Sequence, residues 1–150
     1  MNAEKLKLLA RDLSIEYPRS PRETLAGYVI AARTLDKCRA HLNGTLGEYK
    51  FGCFLDSHFF TFAEIDGNQF RDFVATGATD EEVAGWIQLH ARKRPRAEVI
   101  QWNNRMREMR VGELPAERQE FLEDYIAQFV PKGRPVYRWF DVYDLEEKRL

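Results

Sequence analysis

The chain has 150 residues, 44% hydrophobic and 31% charged, the balance of one folded domain and not of a disordered or membrane-embedded chain. No apolar run approaches the roughly 20 residues that a membrane span needs. With 23 Lys and Arg against 24 Asp and Glu, the net charge is −1, which argues against a nucleic-acid partner, because such proteins carry a clear basic excess.

Residues 3–13 open the chain with Leu6, Leu9 and Leu13 on one helical stripe. The stretch is amphipathic and lacks the basic-then-apolar order of a secretory signal, so a cytoplasmic location is expected. Tyr17-Pro18-Arg19-Ser20-Pro21 follows as a short extended connector, because proline restrains its predecessor. Ser20-Pro21-Arg22-Glu23 has the form of a capping box and predicts a helix running to about Leu42. Asn43-Gly44 ends it, glycine tolerating the left-handed turn of a helix terminus.

Residues 47–65 carry two competing periods. Tyr49, Phe51, Cys53 and Leu55 alternate as in a strand, whereas Leu55, His58, Phe59 and Phe62 recur at helical spacing. The expected outcome is an irregular lead-in through Phe54 and a short helix over 55–64. Asp66 caps the next helix, Gly77 breaks it, and Thr79-Asp80-Glu81-Glu82 forms a second capping box. Pro95 opens a helix with Val99, Trp102, Met106 and Met109 on one face, closed by Gly112. Pro115 opens the last long helix, with Leu122, Tyr125, Ile126 and Phe129 turned inward. The tail, 136–150, is aromatic enough that it should dock and not float. Strands and helices do not alternate, so the expected fold is all-α: a compact single-domain bundle of six or seven helices, irregular and aromatic-rich near residues 47–56.

The segment 47–56 is the first place to look for function. It follows a helix end and mixes glycines, charges and aromatics. Glycines let a backbone approach a ligand, and Glu48 and Asp56 have the chemistry of a general acid and base. Asp36, flanked by Arg33, Lys37 and Arg39, becomes a candidate if its helix is enclosed, since a buried carboxylate needs a partner. Tyr49 and His58 complete the set of candidate ligand-binding residues. The bland alternatives are a helix-capping loop for 47–56, a surface ion pair for Asp36 and a hydrogen-bonded core histidine for His58. Cys38 and Cys53 show no paired spacing and read as reduced, small buried residues. His41, His58 and His90 lack helical metal-ligand spacing, so no metal and no cofactor is expected. The run Arg92-Lys93-Arg94-Pro95-Arg96 has acidic flanks and reads as a solvated helix junction.

Several of these pieces together resemble an uncharacterised bacterial family, domain-of-unknown-function family 5069. They are Pro18-Arg19-Ser20-Pro21-Arg22, Gly27-Tyr28-Val29, Asp36-Lys37-Cys38-Arg39-Ala40, Gly47-Glu48-Tyr49, Cys53 with Leu55-Asp56, Phe59-Phe60 and Trp139-Phe140-Asp141. The resemblance runs from about residue 12 to about 145. The family pattern places one proline inside the second helix and another between Cys53 and Leu55. Here Ala31-Ala32 and Phe54 stand there, which implies a straighter helix and puts a rigid turn before Leu55 in question. The resemblance implies a compact bacterial protein and supplies no activity.

The expectation is therefore a domain that binds a small molecule or a protein partner near 47–56, of open oligomeric state. The alternative is a small enzyme using these carboxylates, with His58, for acid–base or metal-assisted chemistry. An interaction module using Arg92–Arg96 or the aromatic tail is a third class.

Overall fold

The computed structural model describes all 150 residues. The fold is all-α, with eight α-helices, one 3₁₀ turn and a single two-stranded antiparallel hairpin. The chain divides into two compact units, Met1–Val99 and Ile100–Leu150.

In the first unit, helix α1 (Ala3–Leu9) is capped by the Asn2 side chain, which accepts from the Lys5 amide. It stops short of the predicted Leu13. Asp12 takes the Ser14 amide at 3.0 Å, and its own carbonyl accepts from Glu16, so the chain turns there. Leu13 still reaches the interior, through the turn.

The helix predicted from residue 20 begins instead at Ala31. The capping interactions do form: the Ser20 amide donates to Glu23 Oε2 at 3.2 Å, and Ser20 Oγ accepts from the Arg22 amide at 3.1 Å. They close one turn only. Strand β1 (Thr24–Leu25) then pairs with β2 (Tyr28–Val29) across Ala26-Gly27, whose φ angles are 55° and 87°. Positive φ at both central residues is the signature of a two-residue hairpin turn matched to strand twist. Leu25, Tyr28 and Val29 have the i, i+3, i+4 spacing of a helix, but the two-residue turn sets Leu25 opposite Tyr28 instead, which is why the helical reading fails here. Ile30 follows with φ 74°, fully buried, its amide donating to the Pro21 carbonyl at 2.8 Å. A β-branched residue in that region is strained, and it is held there, at the entry to α2 (Ala31–Asn43), by its bond to Pro21 and by the Thr34 amide donating to its carbonyl.

Helix α2 is buried at every position from Ala31 to Ala40. Gly44, at φ 73°, ends it as predicted. The next elements are α3 (Phe54–Ala63), α4 (Gly67–Val74) and α5 (Asp80–His90). The irregular lead-in and short helix expected for 47–65 are what the structure has. Asp66 caps α4 through the Asn68 and Gln69 amides, and Thr79 and Glu82 form the reciprocal capping box of α5. Helix α2 packs against α1, β1, α3 and α4. An aromatic core lies beside it: Phe59 meets Tyr28 edge-on at 5.6 Å, and Phe70 meets Phe60 at 5.5 Å.

Helix α6 (Arg96–Glu108) follows Pro95. In the second unit its Trp102 and Met106 are buried. A 3₁₀ turn (Val111–Glu113) holds Gly112, and α7 (Ala116–Phe129) follows Pro115. Leu122 is buried as expected, but Phe129 is 39% exposed and lies against Tyr125 at 4.7 Å between ring centres. An aromatic row at i, i+4 spacing along the helix surface thus replaces part of the predicted inward face. The tail forms an eighth helix, α8 (Trp139–Glu146), with Trp139, Phe140, Val142 and Leu145 buried. Antiparallel bonds from the Val111 amide to Tyr137 and from the Trp139 amide to Met109 tie it into the second unit.

Two glycines flank the segment of interest and differ in what a side chain would meet. A Cβ on Gly47 (φ 59°) would lie 2.8 Å from the Leu13 carbonyl oxygen, whereas one on Gly52 (φ 80°) meets nothing within 4 Å. Gly52→Ala should therefore cost about 1 kcal/mol from its backbone conformation. Gly47→Ala, clashing with backbone as well, should cost roughly twice that or more. Urea unfolding of the two variants checks this, and equal losses would contradict it.

Candidate functional site

Helix α2 carries Arg33, Thr34, Asp36, Lys37 and Arg39, all buried. A charge taken from water needs a partner and satisfied hydrogen bonds. Most of these side chains converge in two clusters.

The first is centred on Asp36. Its Oδ2 accepts the Arg19 backbone amide at 2.8 Å and Arg19 Nε at 3.0 Å, and its Oδ1 accepts Arg19 Nη2 at 2.9 Å. Arg19 Nη1 then reaches Asp80 Oδ2 at 2.8 Å, and Arg39 Nη1 reaches Asp80 Oδ1 at 2.8 Å. Arg39 Nη2 donates to the Ala78 carbonyl at 3.0 Å. The two-pronged guanidinium matches a carboxylate in a way that a lysine cannot. The extended connector around Pro18 places Arg19, and the capping box at Thr79 places Asp80 at the start of α5. Burial disfavours the charge on Asp80, but the hydrogen bond from Arg39 and the charge and hydrogen bond of Arg19 outweigh it and hold the carboxyl below its ordinary range. The same balance raises Arg19: burial opposes its charge and Asp36 overcomes that.

The second cluster is centred on Asp56, in the first turn of α3 and 0% exposed. Its Oδ1 accepts Thr34 Oγ1 at 2.6 Å and lies 3.0 Å from Lys37 Nζ, and its Oδ2 accepts the Gly52 amide at 2.8 Å. Thr34 and Lys37 lie one turn apart on α2 and so share a face. Lys37, 3% exposed, also donates to Cys53 Sγ at 3.1 Å. Cys53 immediately precedes α3 and is half-buried. Cys38 is buried, and burial, with the charge of Asp56, pushes its thiol well above the ordinary range. Cys53 is thus the less buried cysteine of the pair.

The five residues singled out from sequence fall in different places. Asp36 and Asp56 are both buried and bonded, but to different partners in different clusters. Glu48 is exposed in the turn closed by the Tyr49 amide and the Leu46 carbonyl. Tyr49 is half-buried, with the Arg33 guanidinium 5.5 Å from its ring centre. His58 is half-buried, its Nδ1 2.9 Å from the Phe54 carbonyl and its ring edge-on to Phe54 at 4.8 Å. Sequence reading missed Lys37, Thr34 and Cys53. The available signal was the alanine-rich, glycine-ended helix 31–43, whose small residues mark a helix enclosed on all sides. No three His, Cys, Asp or Glu side chains are grouped to hold a metal ion.

An all-α chain with a buried, charge-bearing helix, crossed by the Pro18-Arg19 connector and followed by a glycine-bearing turn, is the class that these observations define. Residues 15–149 match the family model described as a domain of unknown function, DUF5069, and the chain belongs to that family. The match runs through both units. No curated protein matches the chain.

Two outcomes are expected. Lys37→Met leaves Asp56 buried without its cation and should lower stability by about 3–5 kcal/mol, with partial recovery when Asp56→Leu is added. Denaturant unfolding of both variants measures this, and an unchanged double variant would refute the pairing. For Asp80 the folded-state pKa is depressed, so its stabilisation is complete above the ordinary value of 3.8 and disappears as pH falls through the lower folded value. The stability gap between wild type and Asp80→Asn should be constant near neutrality and close in acid. A gap that widens in acid would reverse the sign.

Proposed function

We propose that the chain is a small-molecule binding domain whose ligand engages the 47–58 segment above Lys37. One observation carries this reading: a buried Asp56–Lys37 pair ends on the sulfur of a half-buried cysteine. Apolar side chains of similar volume generally stabilise a fold as well as a buried ion pair does, so stability alone does not account for it. An ammonium has three donors. Asp56 and the Cys53 sulfur take two of them; because Lys37 is only 3% exposed, a ligand with a carbonyl or carboxylate oxygen would take the third only by displacing part of the 47–53 turn. Glu48, Tyr49 and His58 are then the residues of the same segment available to select it. Two unpaired cysteines agree with work in the cytoplasm, and no helix is long and apolar enough to cross a membrane.

Two-dimensional amide NMR against a panel of small carboxylates and amides tests the reading. Shifts confined to residues 34–37 and 47–58 are expected. Tyr49→Ala should weaken binding about tenfold, equivalent to about 1.4 kcal/mol. Shifts confined to other parts of the chain, or none across the panel, would overturn it.

A second reading rests on the order of the hydrogen bonds. Thiol, amine and carboxylate in sequence have the form of a nucleophile, a proton carrier and its orienting group. A small enzyme using Asp56 for acid–base work fits that order, with His58, which lies on the same helix against the Phe54 carbonyl, as a further proton-transfer group outside it. Asp56→Asn and His58→Ala would then reduce turnover of a bound compound while leaving it bound.

A further inference from the structure

We infer that a hydroperoxide converts Cys53 and Lys37 into a covalent sulfur–nitrogen link that ties α2 to the start of α3. The inference concerns the same cluster and needs no ligand.

Geometry carries it. Lys37 Nζ lies 3.1 Å from Cys53 Sγ. The amine is not a freely moving surface group: its side chain is 3% exposed and is anchored 3.0 Å from Asp56, which Thr34 and the Gly52 amide hold in turn. The sulfur belongs to a residue outside α2 that is half-buried, the less buried of the two cysteines, while the amine is held in place. Sixteen residues separate the two, so the link closes a loop between elements already packed together. The other thiol, Cys38, is completely buried.

The chemistry balances in two steps. Hydrogen peroxide transfers one oxygen to Cys53: the thiol becomes a sulfenic acid, sulfur loses two electrons, and the peroxide leaves as water. Lys37 then passes one ammonium proton through Asp56 to solvent, and its nitrogen attacks the sulfur. The S–N bond forms as the S–O bond breaks. The departing hydroxide takes a second nitrogen proton and leaves as water. Sulfenic acids are known to condense with nitrogen in this way. Preorganisation supplies the selectivity, since an amine already in contact competes well with a second peroxide from solution. Two equivalents of an external thiol reverse the link, restoring thiol and amine and forming a disulfide. While it lasts, the link removes the cation from beside Asp56, leaving that carboxylate to Thr34 and Gly52.

Mass spectrometry of the intact wild-type chain after hydrogen peroxide and then N-ethylmaleimide is the test. The expected product is lighter than the reduced chain by two hydrogens, apart from any label on Cys38, carries no label on Cys53, and returns to the starting mass with dithiothreitol. Its tryptic map should show no cleavage after Lys37 and should join peptide 34–39 to peptide 51–71. Cys38→Ala should keep the link, and Lys37→Arg should lose it and let Cys53 gain two or three oxygens. A Cys38–Cys53 disulfide would have the same mass but would leave Lys37 cleavable. That product, or over-oxidised Cys53 with Lys37 still cleaved in the wild type, overturns the inference.

Discussion

Ten successive residues of α2 are out of water, and four of them, Arg33, Asp36, Lys37 and Arg39, are charged. Removing even one such group from solvent without compensation would cost a large share of the few kcal/mol by which a domain is stable. Much of the first unit is therefore arranged around finding partners for this helix. The Pro18–Ser20 connector lies where Arg19 can clasp Asp36, α5 begins where Asp80 can meet Arg39 and Arg19, and α3 begins where Asp56 can meet Lys37 and Thr34. An apolar helix in the same position could rotate or slide with modest loss. This one cannot, because each displaced setting strands a charge.

Local signals in the amino-acid sequence were legible where chain neighbours decide the outcome. Asp66, Thr79 with Glu82, Pro95 and Gly44 all mark helix ends that the structure has. The same kind of signal misled at Ser20-Pro21-Arg22-Glu23. There the capping hydrogen bonds exist, yet the pairing of β1 with β2 and the Ala26-Gly27 turn claim the residues that a helix would need. Leu25, Tyr28 and Val29 have helical spacing, and a tight turn that sets Leu25 opposite Tyr28 brings the same residues together, so only the tertiary setting distinguishes the two. Asp36 was legible as a conditional candidate, and its burial meets the condition. Lys37 and Cys53 were not, because their contact depends on how the irregular turn at 47–53 folds back onto α2. No local periodicity encodes that.

The two polar clusters on α2 differ in kind. Around Asp36, guanidinium forks meet carboxylates, although Arg39 Nε is buried without a hydrogen-bond partner, and the cluster reads as a clasp joining connector, central helix and α5. Around Asp56 the chain of bonds runs from a fully buried carboxylate to the thiol of the half-buried Cys53. Membership in DUF5069 brings no chemistry with it, so the case for function rests on this asymmetry. One cluster pairs guanidinium groups with carboxylates, and the other ends on a nucleophilic sulfur.

The clasp has a further consequence, for heat. Hydration of charged groups becomes less favourable as temperature rises, so the cost of keeping Asp36 and Arg39 out of bulk water shrinks while their attraction to Arg19 and to the half-buried Asp80 persists. Apolar burial gains little over the same range. On warming, the ionic part of the first unit takes a growing share of its cohesion. The joint between connector, α2 and α5 should then be among the last contacts to part, after the strained hairpin at Ala26–Ile30 has let go.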